Sequence, residues 1–439
     1  MGSVWNDTVN MRSFAKLERD LHVDVLIIGG GMAGVLTAYM LGREGVDYAL
    51  CEAETLGSGT TKNTTAKITS QHGLIYNKLI REFGEQKAVQ YYGANQEALY
   101  LYRTLCETID CNFEQKDNYI YTLNDAKQIE KEMRALKQLG IPAERTNTLP
   151  LPFDVAGAIR FSEQAQFHPL RFLSGISDGL HIYEHTRVRE LKKTKTGVAA
   201  VTSGGTVFAD RVIVATHFPF LNKHGVYFIK QYQHRSYVIA LENAPQLDGM
   251  YLDDDEKGLS FRNYGGYLFI GGGSHRTGKN GGGYRDLKAA AERYFPEATV
   301  KYAWAAQDCM TLDSVPYIGR YSAGTEGLYV ATGFNKWGMT GSMIAAKLLS
   351  DLLTGNENPY EELFSPSRTM LRPALLSNAA EAVLGLITPT VPRCPHLGCA
   401  LHWNEAEHSW DCPCHGSRFT EDGKLIDNPA TGDLKGVQK

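Results

Sequence analysis

Residues 23–28 (VDVLII) run straight into Gly29, Gly31 and Gly34, and this order constrains the fold more than any other feature of the chain. The apolar run reads as a strand buried on both faces. The stretch at roughly 32–44 reads as a helix, and 46–51 (VDYALC) as a second short strand. Strand, tight turn, helix and strand make a βαβ unit, which commits the chain to a parallel sheet. Glu52 lies 18 residues beyond Gly34, at the end of the second strand. Each part has a task in holding a dinucleotide. The glycines let the backbone approach a pyrophosphate, the helix N-terminus carries partial positive charge, and the acid accepts a hydrogen bond from a ribose hydroxyl. The motif does not distinguish NAD from FAD.

Downstream, residues 74–107 and 125–139 read as helical, the first with apolar spacings of three and four (Ile75, Leu79, Phe83; Ala94, Ala98, Leu101, Leu105). Between about 181 and 273 the pattern turns strand-rich. Near 327–353 a strand, a glycine-rich turn and a helix recur (GLYVATGF, then MTGSMIAAKLLSDLL). Residues 355–390 hold NENP, SPS and RP breakers around one short helical stretch, so they read as a linker. A chain of 439 residues has room for two or three domains. A net charge of −4 gives no reason to expect nucleic acid or an anionic membrane as partner. No signal pattern opens the chain, and no apolar run approaches the roughly 20 residues of a membrane span, so a cytoplasmic protein with no membrane span is expected.

The eight cysteines are unevenly placed. Cys51, Cys106, Cys111 and Cys309 are scattered and read as small buried side chains. The others, at 394, 399, 412 and 414, fall within 21 residues, a density that suggests metal or a local disulfide. CPHLGC (394–399) and CPCHGS (412–417) arrange Cys394, His396, Cys412 and His415 as C-x-H and C-x-x-H, with 15 residues between the pairs. Two thiolates and two imidazoles suit a mixed-ligand [2Fe–2S] cluster, and a zinc site has the same ligand set.

The flanking LGC and CHGS sequences resemble Rieske proteins, which zinc does not require. The resemblance implies a [2Fe–2S] cluster on Cys394, His396, Cys412 and His415, with Cys399 and Cys414 matching the disulfide pair of respiratory-type members. It also implies that the Ser417 hydroxyl donates to a bridging sulfide. High-potential members carry a tyrosine where this chain has Phe419, which cannot donate. A potential below the top of the Rieske range, roughly −150 to +300 mV, is therefore expected. Only TPTVPR separates the linker's apolar stretch from Cys394, so much of the usual base sheet is missing. A fragment this small buries little core, and it is expected to dock on the rest of the protein or on a neighbouring subunit.

VDVLIIGGGMAGVLTAYML, CEAETLGSGTT, ADRVIVATHFP, LDSVPYIGR and GLYVATGFNKWGMTG, taken in order over about residues 20–360, resemble the D-amino-acid-oxidase-like FAD oxidoreductases, which include glycine and sarcosine oxidases. The resemblance implies non-covalent FAD on Gly29, Gly31, Ala33, Gly34, Glu52, Thr60, Thr61, Val188, Gly333, Gly338, Met339 and Thr340. Gly338 to Gly341 would set backbone N–H groups beside the flavin pyrimidine. An inserted domain covers the flavin in this family, and its substrates are amines or amino acids. Candidate pocket residues are Arg235, Arg262, Arg276, Tyr237, His72, His168, His234 and His275, with Arg262 the chosen anion clamp. By motif alignment with sarcosine oxidase, the lysine that helps reduced flavin meet oxygen falls at Phe269, and the cysteine that bonds flavin falls at Ala306. A dehydrogenase that needs an external electron carrier is the expectation.

The expected architecture is an α/β FAD-binding domain of the glutathione-reductase-like Rossmann type with an inserted α+β substrate domain and a small all-β Rieske module. The boundaries read 20–75, 156–225 and 305–360 for the FAD domain, 76–155 and 226–304 for the substrate domain, 361–390 for the linker and 391–439 for the module. Electrons would pass from an amine or amino acid to FAD and out through the cluster. A reductase running the opposite way, or a redox sensor or electron carrier with a vestigial pocket, would use the same parts.

Overall fold

A computed structural model describes residues 2–221, 224–369, 373–388 and 392–434. The first apolar run forms the strand Leu21–Ile28, paired in parallel on one side with Tyr48–Cys51 and on the other with Thr206–Val214. The sheet continues outward through Leu328–Thr332 to Tyr317–Arg320 at one edge and through Ile182–Tyr183 at the other. Two shorter strands, Glu190–Lys193 and Val198–Val201, extend it antiparallel beyond Thr206–Val214, for eight strands in all. Two helices with buried small and apolar faces, Met32–Arg43 and Gly338–Thr354, pack against each other. Both begin just after a parallel strand, so their N-termini open at the same end of the sheet.

A nine-stranded second sheet runs in the order Thr299–Thr311, Gln231–Glu242, Tyr267–Arg276, Ser260–Tyr264, Met250–Asp253, Glu114–Thr122, Gly157–Gln166, Lys67–Ile68, with Glu144–Thr146 also on Gly157–Gln166. Three segments depart from the boundaries read in the sequence. Lys67–Ile68 and Gly157–Gln166 belong to this sheet although 20–75 and 156–225 read as dinucleotide domain, and Thr299–Thr311 crosses the division at 304/305. The cause is pairing between distant segments: Gly157–Gln166 finds its partners in Glu114–Thr122 and Lys67–Ile68. Within the expected linker lie the short helix Glu361–Phe364 and the helix Pro373–Ile387.

The C-terminal residues form a separate four-stranded antiparallel sheet of His402–Asn404, Ser409–Asp411, Arg418–Thr420 and Leu425–Asp427. Its core is small, built on Leu401, Phe419, Ala430 and four cysteines. Among the described residues no helix is long and apolar enough to cross a membrane.

Candidate active site

The glycine turn has the geometry of a pyrophosphate cradle. Gly29 sits at φ +112°, and a Cβ there would strike the Ala215 carbonyl. A Cβ on Gly34 would run into the Gly29 carbonyl, so this glycine serves helix–strand approach and does not itself line the cavity. Neither N-cap residue, Gly31 on the first helix or Trp337 on the second, bonds the first-turn N–H groups with a side chain, which leaves the helix ends available to an anion. Met32 N–H donates to Thr61 Oγ1 at 3.1 Å. The Glu52 carboxylate accepts from Gly30 N–H at 2.6 Å and Glu54 N–H at 2.8 Å. Burial pushes its pKa up, against those N–H groups and Arg187, which favour the charge.

These groups line a single cavity of about 1320 Å³. Of the expected cofactor residues, Gly29, Gly31, Ala33, Glu52, Thr60, Thr61, Val188, Gly338 and Met339 line it. Gly333 and Thr340 do not: a Cβ on Gly333 would meet Thr311 and Gln231, and Thr340 lies beside Thr69 and His72. Most of the residues expected to hold a dinucleotide are therefore gathered at the open helix ends, and as a donor set they fit FAD. An acceptor for a ribose hydroxyl contributes about 1.5–3 kcal/mol when charged, so Glu52→Ala is expected to weaken FAD binding roughly 10–100-fold, read as flavin lost on gel filtration.

The second sheet covers the other side of the cavity with Ser236, Val238, Ser260, Gly271, Trp304 and Ala306. Arg262 is not among the lining residues, which corrects its choice as anion clamp. It is 1% exposed, boxed by the rings of Trp5, Tyr264 and Phe269 at 5.4–5.7 Å, and bonded to the Thr65 carbonyl. Trp5 arrives from the N-terminal helix Val4–Asp7, a contact invisible in local sequence. His168, Arg276 and His275 also lie off the cavity wall. His168 caps the helix Pro169–Ile176, and His275 stacks on Tyr237.

His72, Tyr237, His234 and Arg235 do line the cavity. His72 is satisfied by Tyr91 Oη and the Thr69 carbonyl, both at 2.7 Å, and stacks on Trp337; burial lowers its pKa to about 3. His234 meets Glu256 at 2.7 Å, and burial brings it too to about 3. Lys67 and Lys336, which the sequence reading passed over, also line the cavity. The Lys336 ammonium donates to Ser274 Oγ at 3.0 Å and faces Asp308.

The cluster loops are two copies of one turn. In each, the first residue's N–H donates to the sixth residue's carbonyl (Cys394 to Cys399, Cys412 to Ser417) at 2.9 Å, and the fifth residue's N–H returns to the first carbonyl at 2.9 Å. The fifth residue is Gly398 or Gly416, at φ +79° and +84°, where a side chain would be strained. This turn places Cys394, His396, Cys412 and His415 together, with the histidine rings 4.8 Å apart, and the Cys399–Cys414 disulfide ties the loops. Cys412's thiol and the N–H groups of His396 and Leu397 favour the Cys394 thiolate and pull its pKa down against burial; the Ser417 hydroxyl also donates to it. Burial keeps both rings neutral, His396 at about 4 and His415 at about 3, which is the form that ligates metal. His415 is 2% exposed, and neither ring nitrogen has a partner at good hydrogen-bond geometry, although the Phe228 backbone lies close by. Buried orphan nitrogens beside two thiols fit a metal cluster.

The small sheet is docked on the body of the protein. Gln307 Nε2 donates to the Gly416 carbonyl at 2.8 Å, Arg276 Nε to Pro413 O at 3.2 Å, and Asn428 Nδ2 to Thr216 O and Phe218 O at 2.6 and 2.7 Å. Arg235 pairs with Glu407, which Arg418 meets at 3.1 Å; Arg418 also holds Asp411 at 2.9 Å and Asp427 at 3.0 Å. Glu407, Arg418, Asp427 and Asn428 line the dinucleotide cavity, so the module closes part of its wall.

Comparison with known proteins agrees with both halves. A family model described as FAD dependent oxidoreductase matches residues 24–352, and one described as Rieske [2Fe-2S] domain matches 384–438. A Bacillus subtilis protein, YhfW, named as a Rieske 2Fe-2S iron-sulfur protein, is 36% identical over 99% of this chain and 97% of its own. Gamma-glutamylputrescine oxidoreductase of Escherichia coli is 22% identical over 79% of this chain and 87% of its own. The structure of glycine oxidase from Geobacillus kaustophilus superposes with a TM-score of 0.66 at 20% identity, covering 80% of this chain and all of that one, a likeness of fold.

Proposed function

Because this chain belongs to the family of FAD-dependent oxidoreductases and carries a Rieske [2Fe–2S] domain at its C-terminus, we propose that it is a dehydrogenase that oxidises the C–N bond of an amine or amino acid. Bound FAD supplies a two-electron acceptor for hydride, and the cluster supplies a one-electron outlet. The observation that carries the reading is Gln307. Its backbone carbonyl accepts from Thr60 Oγ1 at 3.4 Å on the cavity side, while its side chain holds the carbonyl of Gly416 in a cluster loop. One residue thus joins the cofactor cradle to the turn that carries His415.

The two histidines of the cluster loops differ in burial, which supports an inner and an outer end for the electron route. His415 is buried against Phe218 and Phe228 of the body, at ring distances of 6.3 and 6.1 Å, whereas His396 is only partly buried, between the exposed Pro395 and Leu397. Electrons would enter beside His415 and leave past His396 to an external carrier.

Other residues of the chain support a dehydrogenase with non-covalent FAD. Phe269, where sarcosine oxidase has its oxygen-activating lysine, is 1% exposed and packed on Trp5 and Trp304. Ala306 lines the cavity with no thiol to offer, and Cys309, off the cavity wall, lies beside Thr332. The relatives named for glycine and gamma-glutamylputrescine point to the same substrate class. Anaerobic stopped-flow mixing with a panel of amino acids and N-methylated acids is expected to bleach the flavin first and shift the cluster bands second. No bleaching by any amine would overturn the reading.

A further inference from the structure

Arg276, which ends the body strand Tyr267–Arg276, sits where three parts of the chain meet. Its Nη2 donates to Asn378 Oδ1 at 2.7 Å on the helix Pro373–Ile387, and its Nε donates to the Pro413 carbonyl at 3.2 Å in the second cluster loop. Asn378 is itself fixed, because its Nδ2 donates to the carbonyls of Ile229 and Gln231 at 2.8 and 3.2 Å. The turn that follows Arg276 lies against the same loop: a Cβ on Gly278 would strike the Pro413 backbone nitrogen. The guanidinium also lies over the Tyr232 ring, 5.0 Å from its centre, and Tyr232 lines the dinucleotide cavity. One fixed cation therefore stands between the cavity and the loop that carries Cys412 and His415.

That charge is not spent on an acid. Among the described residues Arg276 makes no ion pair, and Glu381, the acid that acts on it most, is bonded to Lys279 at 2.6 Å. Its charge opposes a proton on His415 and faces the Cys412 sulfur. Two ferric ions, two sulfides, two thiolates and two neutral imidazoles sum to zero charge, so the single electron that reduces such a centre makes it a monoanion. A cation beside it stabilises the monoanion and leaves the neutral oxidised form nearly untouched, which raises the midpoint potential. We propose that Arg276 sets the reduction potential of the docked cluster, the flavoprotein body supplying across the docking surface the charge that draws the electron out of the cavity. Because the cation belongs to the body and the cluster to the module, reduction and docking strengthen one another. The inference goes beyond the substrate reading and does not rest on it, since dithionite can deliver the electron in place of reduced flavin.

A redox titration of the FAD-loaded, cluster-loaded protein with dithionite tests this, the cluster read by electron paramagnetic resonance and the flavin by absorbance. Arg276→Gln keeps a donor for the Pro413 carbonyl and loses the charge. Its cluster is expected to become at least about tenfold harder to reduce, a fall of about 59 mV for one electron, with the flavin midpoint unchanged. Arg276→Lys keeps the charge and should restore most of the potential. Asn428→Ala removes two uncharged docking bonds, leaves Arg276 in place and should stay near the wild type. An unchanged cluster midpoint in Arg276→Gln overturns the proposal. So does a fall of equal size in Arg276→Lys, which would assign the effect to the shape of the guanidinium, or in Asn428→Ala, which would assign it to docking alone. If the flavin midpoint moves and the cluster's does not, the charge serves the other cofactor and the assignment falls. In the wild type itself, reduction should slow protease cutting between the helix Pro373–Ile387 and Cys394. Equal cutting in the two redox states overturns the proposal even if no variant keeps its cluster.

Discussion

Cys412→Ser is expected to yield a protein that keeps its flavin and has no Rieske signal in electron paramagnetic resonance. Cys412 is fully buried and its thiol hydrogen-bonds the Cys394 sulfur between the paired turns. Groups that merely orient a metal ligand are worth roughly 10–100-fold in affinity or activity, so loss of a thiolate ligand should exceed that range. Substrate-driven bleaching of the flavin under anaerobic conditions should survive, since the cradle at Gly29, Gly31 and Glu52 is untouched. Turnover with a one-electron acceptor should fall by more than about 100-fold. Turnover at the wild-type rate without the cluster would mean that the flavin delivers electrons directly, and the route past His415 would have to be abandoned.

The second large effect is expected at Glu407. Its carboxylate bridges Arg235 of the body and Arg418 of the module, with side chains only 14%, 3% and 6% exposed. Arg418 retains Asp411 and Asp427 if Glu407 is lost. Among the described residues Arg235 makes no other ion pair, Asp308 being a nearby acid it does not bond, so Glu407→Ala leaves a buried guanidinium unpaired at a cost of about 3–5 kcal/mol. The module's own core is too small to absorb that cost, and undocking is the cheaper response. Protease cutting between the helix Pro373–Ile387 and Cys394 should accelerate, and transfer of electrons from flavin to cluster should slow, while FAD content stays the same. The double variant Arg235→Leu with Glu407→Leu should recover much of the docking, because a buried ion pair replaced by apolar groups is often neutral. Equal protease sensitivity in Glu407→Ala and wild type would show that the network does not hold the module.

What was legible in the amino-acid order is what chemistry confines to neighbours in the chain. The strand–glycine–helix opening and Glu52 could be read because a pyrophosphate cradle is built from consecutive backbone, and the structure gathers most of those residues on one cavity. The cluster loops could be read because each is a six-residue turn whose Cys, His and Gly have fixed offsets. Even the module's need for a partner surface followed from its length alone.

The substrate side behaved otherwise. Arg262 stands in a segment rich in aromatics and glycines, as a clamp might, yet Trp5, some 250 residues earlier in the chain, closes over it and removes it from the cavity. Lys67 carries no motif, being one residue of a two-residue edge strand whose pairing with Gly157–Gln166 puts it on the cavity wall. Gln307 and Glu407 are ordinary polar residues until the module docks. The sequence by itself determined the dinucleotide turn and the cluster turns, because those depend on local backbone geometry, and its family resemblances implied which cofactors they receive. Only the tertiary structure decided which charges face the cavity, which are locked away and how cluster and flavin are joined, because each of those depends on contacts between segments far apart in the chain.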